Sequence, residues 1–526
     1  MARTKLCICC ALLLVIAIIP VIIYFSIKCP RGTFRNAAVA TDAIKCSEIG
    51  RDILQRGGSA VDGAIAALLC TGIMNPQSAG IGGGSMFTVM DSSGNVKIIN
   101  SRETAPSNMN SDRLKFCPRS STMLAGGIWI GVPGEIRGYE MAHKLYGKLP
   151  WADLFQPTIK LAREGFPKHL HLSLIVLRKA FSDKNGNLLK NRTIKFEKLA
   201  DTLEMIANNG SDAFYTGKIA KDLVRDVQEA GGVLTLLDLA SYKARETDAW
   251  VVPMGEYQIL ILNIMKGYQM KSSLQSIDQK TLFYHRYLEA FKFTNGLKKY
   301  IGDPNFKSEE IKIAKQITEG SFADHMRSLI SDNRTHDSKY YNVPPYLDSM
   351  GTTHVSVLAG DGSAVAVTSS INYRFGSGVY SPNTGIILNN QLVDFCGWTV
   401  NISPGEQPPS SMAPAVLKSD SEILVIGASG GSRITTALAS ALINHLWFGK
   451  SLEKAINARL VFVDSEYSVE VEKMFDKELI ETLAGLGHNM KLADDSYHST
   501  VNAVEKKGGC IHAVSDKRKQ GEAAGY

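Results

Sequence analysis

Two short stretches carry residues capable of covalent chemistry. The first is Gly351-Thr352-Thr353-His354, which opens an alternating run that reads as a strand. A hydroxyl residue directly after glycine, at the start of a strand, is a place where a chain can cut itself. The Thr352 hydroxyl would attack the Gly351 carbonyl, and glycine tolerates the strained backbone that this requires. The freed Thr352 would carry an α-amine of unperturbed pKa roughly 7.7–8, able to act as general base for its own hydroxyl near neutral pH. Gly-Thr pairs are common, however, and the pair alone is equally a loop entering a strand.

The second stretch is Gly427-Ala428-Ser429-Gly430-Gly431, a Gly-x-Ser-x-Gly pattern between an expected strand and helix. One reading is the nucleophile elbow of a serine α/β-hydrolase, with Asp464 or Asp494 and His498 or His512 as partners of Ser429. Against it, regular β-α alternation is missing upstream and fewer than a hundred residues follow. The other reading is an anion or oxyanion site built from backbone N–H groups at a helix N-terminus. The plainest is a tight strand-to-helix turn. There is no His-Glu-x-x-His helix, no pair of Cys-x-x-Cys motifs and no phosphate loop ending in Gly-Lys-Ser/Thr, so zinc and nucleotide hydrolysis drop out as first choices. His169 and His171 are two apart on an expected helix, share no face and read as surface residues.

The elements around these stretches must position them. Asn36–Met74 reads as two helices, the first capped by Thr41 or Asp42 and ended by Gly57-Gly58, the second (Ala60–Met74) apolar enough to be buried. The glycine-rich turn Gly80–Gly84 leads into a strand over Ser85–Asp91, paired with Val96–Asn100. Trp151–Ala244 is mostly helical, and Lys266–Asn342 is polar, helical and loop-like. Strands dominate after Thr352: Thr353–Ala359, an Asp361-Gly362 turn, Ala364–Thr368, then Glu422–Ile426 running through the glycines into an apolar helix, Thr435–Phe448. A last hairpin turns at Gly508-Gly509 into Cys510–Val514. The pattern is mixed α/β with a layered sheet.

The chain has 526 residues, enough for a large core, and 58 Lys+Arg against 51 Asp+Glu make a formal charge of +7. That mild excess points to no nucleic-acid partner. With 44% hydrophobic and 21% charged residues, the body is neither disordered nor a multispan membrane protein. Nine cysteines are too few for a disulfide scaffold. Residues 6–27 are uncharged and almost wholly apolar from Ala11 on, the length of a membrane-spanning helix in which Pro20 is tolerated. No small-x-small cleavage site ends the stretch, which favours a signal anchor after a cytoplasmic tail, residues 1–5, over a cleaved signal peptide. Arg3 and Lys5 precede the span while Lys28, Arg31 and Arg35 follow it, so charge does not orient it. Sequons at Asn191, Asn209, Asn333 and Asn401 place the body outside. So do Cys46 and Cys70, which flank the expected helix pair and could be bridged in an oxidising compartment. Cys7, Cys9 and Cys10 read as small apolar residues, with palmitoylation as the alternative.

Further runs extend the pattern: Asn36-Ala37-Ala38-Val39-Ala40, Asn75-Pro76-Gln77-Ser78 before Gly82-Gly83-Gly84, Asn100-Ser101-Arg102-Glu103-Thr104-Ala105-Pro106, Asp361-Gly362-Ser363-Ala364-Val365, Ile371-Asn372, Ser410-Ser411-Met412, and the closing Ser515-Asp516-Lys517-Arg518 and Gly521–Tyr526. Together with Gly351-Thr352 and Gly427–Gly431, these resemble the gamma-glutamyltransferase family over nearly the whole chain after the anchor. The resemblance implies an N-terminal nucleophile hydrolase, a four-layer αββα sandwich, and a proenzyme cut between Gly351 and Thr352. One domain would then be built from a large chain (catalytic part 36–351) and a small chain (352–526) that stay associated. It implies a disulfide between Cys46 and Cys70. It makes Thr352 the nucleophile and Gly430 and Gly431 the oxyanion hole. Arg102 clamps the substrate α-carboxylate with help from Ser410 and Ser411. Asn372, Gln391 and Asp394 hold the α-ammonium, and Ser370 is a hydroxyl beside the nucleophile. The implied substrates are glutathione and conjugates such as leukotriene C4, with water, amino acids or dipeptides as acceptors. The implied location is a single-pass type II anchor in the plasma membrane. Neither metal nor organic cofactor is expected.

Three departures stand out. Gln391 replaces a glutamate, which removes one negative charge from the ammonium site and keeps a weakly active or inactive member open as an alternative. Tyr257–Asn263 runs straight into Ile264-Met265-Lys266 where the family carries a proline-rich, Gly-Gly-containing segment and a helix start. The loop after Asp394, with Cys396 and Trp398, is short.

Overall fold

The structure is a computed structural model and describes residues 29–118, 126–167, 193–249, 260–268, 274–342, 350–464, 466–493 and 499–526. Eleven strands form its two main sheets: β1 Ala38–Thr41, β2 Gly84–Met90, β3 Val96–Ser101, β4 Arg245–Asp248, β5 Gly351–Leu358, β6 Ala364–Asn372, β7 Ala415–Lys418, β8 Glu422–Ser429, β9 Thr500–Lys507, β10 Cys510–Ser515 and β11 Glu522–Gly525. The first sheet has the order β11-β1-β5-β6-β2-β3-β4 and the second β10-β9-β8-β7. All neighbours in both are antiparallel.

Side chains alternate across a strand, and these strands use both faces. Ala38, Ala40, Leu358, Ala364 and Ala366 meet Val425, Val504 and Ile511 between the sheets. Val39, Val355, Val357, Val365 and Val367 point the other way, into a core with α1 (Ile44–Gln55) and α2 (Ala60–Met74). On the far side, Leu424, Ile426, Ala428, Val501 and Ala503 pack beneath α3 (Leu260–Lys266), α4 (Ile277–Leu297) and α5 (Ile434–Leu442). The layers are α, β, β, α, as expected. β5 and β6 are buried along their whole length, polar Thr353, His354, Ser356 and Thr368 included, so their buried extent exceeds the alternation visible in sequence.

Sequence signals hold locally in several places. Ala60–Met74 is the buried helix expected, α2, and it opens on a capping box of Ser59 and Asp62. The β5–β6 turn uses Gly362 at φ +85°, with Asp361 Oδ1 accepting from the Ser363 N–H at 3.0 Å. Cys46 and Cys70 are bridged, joining α1 to α2.

Other expectations are corrected. Ala38–Thr41 is a strand between β11 and β5, not the start of a helix. Four consecutive buried residues carry no helical or alternating period, so the pattern could not reveal it. The first helix begins at Ile44 with Ala43 as N-cap, and Thr41 and Asp42 do not cap it. The C-terminal Glu522–Gly525 is an edge strand. The apolar helix ends at Leu442 and continues as a π-turn, Ile443–Trp447. Two further disulfides, Cys29–Cys510 and Cys117–Cys396, are present. Where the chain lacks the family's proline-rich segment, α3 still forms, with Leu260, Ile261, Leu262, Ile264 and Met265 buried on α4. The Arg327 guanidinium donates to the Asn263 and Ile264 carbonyls at 3.1 and 2.7 Å, closing its C-terminal end.

Residues 1–28, with the expected tail and span, lie outside the described residues, as do His169, His171 and Asn191. No described helix is long and apolar enough to cross a membrane. Asn209, Asn333 and Asn401 are exposed.

Candidate active site

One cavity gathers most of the expected residues. Arg102, Thr352, Ser370, Gln391, Asp394, Ser410, Ser411 and Gly431 all line it. Asn372 and Gly430 stand directly behind this lining.

Thr352 opens β5 opposite Ser370 on β6, with a register irregularity between Gly351 and Thr352. Thr352 Oγ1 lies 3.0 Å from Ser370 Oγ. The single Ser370 hydroxyl hydrogen goes to the Gly351 carbonyl at 2.9 Å, and its oxygen accepts the Asn372 N–H at 2.9 Å. Thr352 is therefore the donor to Ser370, which leaves its own oxygen lone pairs unengaged by that bond. Thr353 points to the opposite face and donates to Asp42 Oδ2 at 2.8 Å. Strand alternation thus decides which threonine meets the cavity. His354 is buried between Thr368 and Ser356, and burial holds its imidazole down at about 3.

A charged cradle sits beside the threonine. Arg102, just past the end of β3, is buried and donates to Asp394 Oδ2 at 2.7 Å and to the Pro408 and Pro409 carbonyls. Asp394 also accepts from Asn372 Nδ2 (2.8 Å) and Gln391 Nε2 (2.9 Å). Burial raises the Asp394 carboxyl above the usual aspartate range, opposed by Arg102 and the two amides. Both amide oxygens, Asn372 Oδ1 and Gln391 Oε1, are buried without a partner among the described residues. A buried acceptor left unpaired is costly, so two of them beside one carboxylate mark a place where a donor belongs. Arg102 and Asp394 paired with each other are matched to a zwitterion, whose carboxylate and ammonium would separate and satisfy them in turn. Ser410 and Ser411 face the same space, with Ser410 Oγ accepting from the Met412 N–H.

The glycine turn closes the cavity opposite. Gly430 has φ +117°, and a Cβ there would meet Ser499 Cα at 2.9 Å. Gly431 begins a short 3-10 turn that leads into α5. The N-terminus of a helix thus stands over the threonine, where backbone N–H groups favour negative charge. Ser429 is not the nucleophile of an elbow. Its strand is antiparallel to both neighbours, and its hydroxyl is buried against Thr500 Oγ1 and Lys519 Nζ, each at 2.7 Å. Asp464 is engaged in its own turn, accepting from Glu466 and Ser468 N–H groups, and His512 lies on β10 opposite Glu505. Asp494 and His498 lie outside the described residues.

Two participants escaped sequence reasoning. Lys519 donates to the Thr352 carbonyl at 2.7 Å, to Ser429 Oγ, and to Asp42 Oδ2 at 3.2 Å, anchoring the backbone of Thr352. It falls between the two recognisable C-terminal runs, and its only signal was a basic residue beside them. Glu103 lies next to Arg102, fully buried, with neither oxygen hydrogen-bonded among the described residues and Oε2 3.9 Å from the Arg102 guanidinium; burial pushes its carboxyl up to about 8 against that cation.

A model of the family Gamma-glutamyltranspeptidase matches residues 46–526. The chain is 40% identical over 553 aligned residues to glutathione hydrolase 5 proenzyme of Rattus norvegicus, covering 98% of this chain and 97% of the relative. It is 39% identical to the Homo sapiens protein of the same name, covering 95% and 94%. Among solved structures, cephalosporin acylase from Bacillus halodurans superposes with a TM-score of 0.80 at 23% identity, covering 95% of this chain and 98% of that one. That likeness is one of fold, a mixed α/β architecture. With its sequence matched from Cys46 to the final Tyr526, and with relatives alike across nearly their full length, the chain belongs to the gamma-glutamyltranspeptidase family of enzymes.

Proposed function

We propose that this γ-glutamyl-transferring enzyme is made as a precursor that cuts itself before Thr352. The new N-terminal threonine then cleaves the γ-glutamyl amide of glutathione and of conjugates such as leukotriene C4. The observation that carries this reading is the cradle of Arg102, Asp394 and the two unpartnered amide oxygens beside the Thr352 hydroxyl. It fits the α-carboxylate and α-ammonium of a γ-glutamyl group, and no other part of the substrate needs both charges.

In the precursor, Thr352 Oγ1 attacks the Gly351 carbonyl carbon, which Ser370 polarises. As the ester forms, the Gly351–Thr352 C–N bond breaks and the hydroxyl proton passes to the departing nitrogen, which becomes the Thr352 α-amine; water then hydrolyses the ester to the Gly351 carboxylate and the free Thr352 hydroxyl. That amine takes the hydroxyl proton when Thr352 attacks the γ-carbonyl of a bound substrate. The charge developing on the carbonyl oxygen is met by the Gly430-Gly431 turn. The cysteinylglycine amine leaves with the proton, and water or an acceptor amine resolves the γ-glutamyl ester. Arg102 binds the α-carboxylate in the planar, forked manner of a guanidinium. Apolar Ile301, Trp398 and Met412 on the cavity rim suit a thioether-linked lipid.

The apolar stretch 6–27, the three exposed sequons and the three disulfides support a membrane-anchored enzyme with its catalytic domain outside the cell. Surface biotinylation of intact cells tests this, and full protection of the catalytic domain from the reagent would refute it. Reducing denaturing electrophoresis with N-terminal sequencing tests the mechanism. Wild type should give two chains, the smaller starting at Thr352, and Thr352→Ala should give one. An uncut, fully active wild type would overturn the mechanism. A cut protein that releases no cysteinylglycine would favour an inactive member, the reading that Gln391 keeps open.

A further inference from the structure

We propose that the two chains produced by the cut are joined covalently, by the disulfides Cys29–Cys510 and Cys117–Cys396. The proposal rests on the cut between Gly351 and Thr352. Each bond spans it: Cys29 and Cys117 precede Thr352, and Cys510 and Cys396 follow it. The third bond, Cys46–Cys70, lies wholly within the large chain and cannot serve.

The geometry suits both bonds. Their Cα atoms are 5.6 and 5.9 Å apart, within the range that a disulfide bridges without backbone movement. Each site is also built from other contacts between the same two segments. At the first, Phe34 and Ile511 exchange backbone hydrogen bonds at 2.8 Å, and the Arg35 and Asn36 N–H groups donate to the Tyr526 carbonyl. The start of the described chain is thus zipped onto β10 and β11. At the second, Ser111 Oγ accepts from the Ile402 N–H at 3.0 Å. Cys117 and Cys396 themselves sit in a cluster with Met109, Trp129, Leu392 and Phe395. Each bond forms by exchange with a protein disulfide oxidant of the secretory compartment. Two thiols lose two protons and two electrons, and the oxidant's disulfide becomes a dithiol.

The consequences differ. Cys29 lies immediately after the apolar stretch 6–27, so its bond ties the small chain to whatever holds that stretch. Cys396 lines the catalytic cavity two residues after Asp394, so its bond fixes the turn that carries the ammonium-binding carboxylate. The small chain, which carries Thr352, would then survive conditions that dissociate a non-covalent pair.

The test is denaturing electrophoresis of the full chain from a eukaryotic secretory host, thiols alkylated on lysis, with and without reductant. The expected result is one species of full mass without reductant and two with it. Cys396→Ser and Cys510→Ser should each remain linked, and the double variant should separate without reductant. Two chains for wild type under both conditions would overturn the proposal. One chain under both would instead refute the cut, and a non-reduced tryptic digest of wild type then decides the pairings. Linked Cys29–Cys510 and Cys117–Cys396 peptides uphold them, and alkylated thiols at those positions overturn them.

Discussion

Ser370 Oγ stands 3.0 Å from the Thr352 hydroxyl and 2.9 Å from the Gly351 carbonyl oxygen, so one side chain touches both the attacking and the attacked group of the same peptide. In the proposed cut its hydrogen would polarise the carbonyl. Once Gly351 ends in a free carboxylate no longer held beside Thr352, that hydrogen would be free to turn toward Thr352. Ser370→Ala should therefore slow both processing and turnover. A hydrogen bond of about 1–3 kcal/mol corresponds to roughly 5- to 150-fold in rate. The time course of chain cleavage after synthesis measures the first effect and kcat on pre-cut enzyme the second. Processing at the wild-type rate would refute the role in the cut.

To hold the α-ammonium of the proposed substrate, Asp394 must be ionised. Burial raises Asp394 above the ordinary aspartate range, so kcat/KM should fall on the acid side at a pH higher than an exposed aspartate would impose. Gln391 Nε2 lies 2.9 Å from Asp394 Oδ2. Gln391→Glu places a second ionisable carboxyl there, and like charges hinder one another's ionisation. The acid limb should move to higher pH, while at alkaline pH the substrate ammonium is held more tightly and KM falls. A pH profile with a chromogenic γ-glutamyl anilide decides. An unmoved acid limb would show that Gln391 does not face the ammonium site.

Glu103 links the site to stability. Its carboxyl is raised from 4.5 to about 8, chiefly by burial, so between those pH values the folded chain binds a proton that the unfolded chain does not. Stability from this group is present below the unfolded pKa and is lost as pH rises through about 8. Glu135, raised to about 7, acts in the same direction. Glu103→Gln should raise Tm little at pH 5 and clearly at pH 8.5, as followed by thermal unfolding. An equal change at both pH values would mean that ionisation is not the cause.

The parts legible in sequence were those with a local signature. The Gly351-Thr352 junction, the Asp361-Gly362 turn and the glycine run after Ser429 each depend on residues a few positions apart. The site roles of Arg102, Asn372 and Asp394 came from family resemblance, and the structure brings them together. What escaped depends on distant partners. The strand Ala38–Thr41 is defined by Ser356–Leu358 and by the C-terminus, and two of three disulfides join residues hundreds of positions apart. Lys519 matters only because the turn between β10 and β11 carries it to the Thr352 carbonyl.

Ser429 and Lys519 allow the two nucleophile readings to be separated. Ser429 Oγ accepts from Lys519, whose ammonium also holds the Thr352 carbonyl and Asp42. Ser429→Ala removes one of three acceptors and leaves the carbonyl contact in place. A hydrogen bond to a charged group is worth about 1.5–3 kcal/mol, so activity should fall by no more than roughly 150-fold, well short of complete loss, and the chain should still cut itself. Lys519→Met removes the cation itself. The Thr352 carbonyl is then untethered and Asp42 keeps only its bonds from Thr353 and Asn502. Because Lys519 holds the nucleophile's backbone and lies outside the γ-glutamyl cradle, kcat and the rate of processing should fall together while KM changes little. Ser429→Ala that cuts normally yet loses all activity would restore the serine reading. Lys519→Met with an unchanged kcat would remove the lysine from any positioning role.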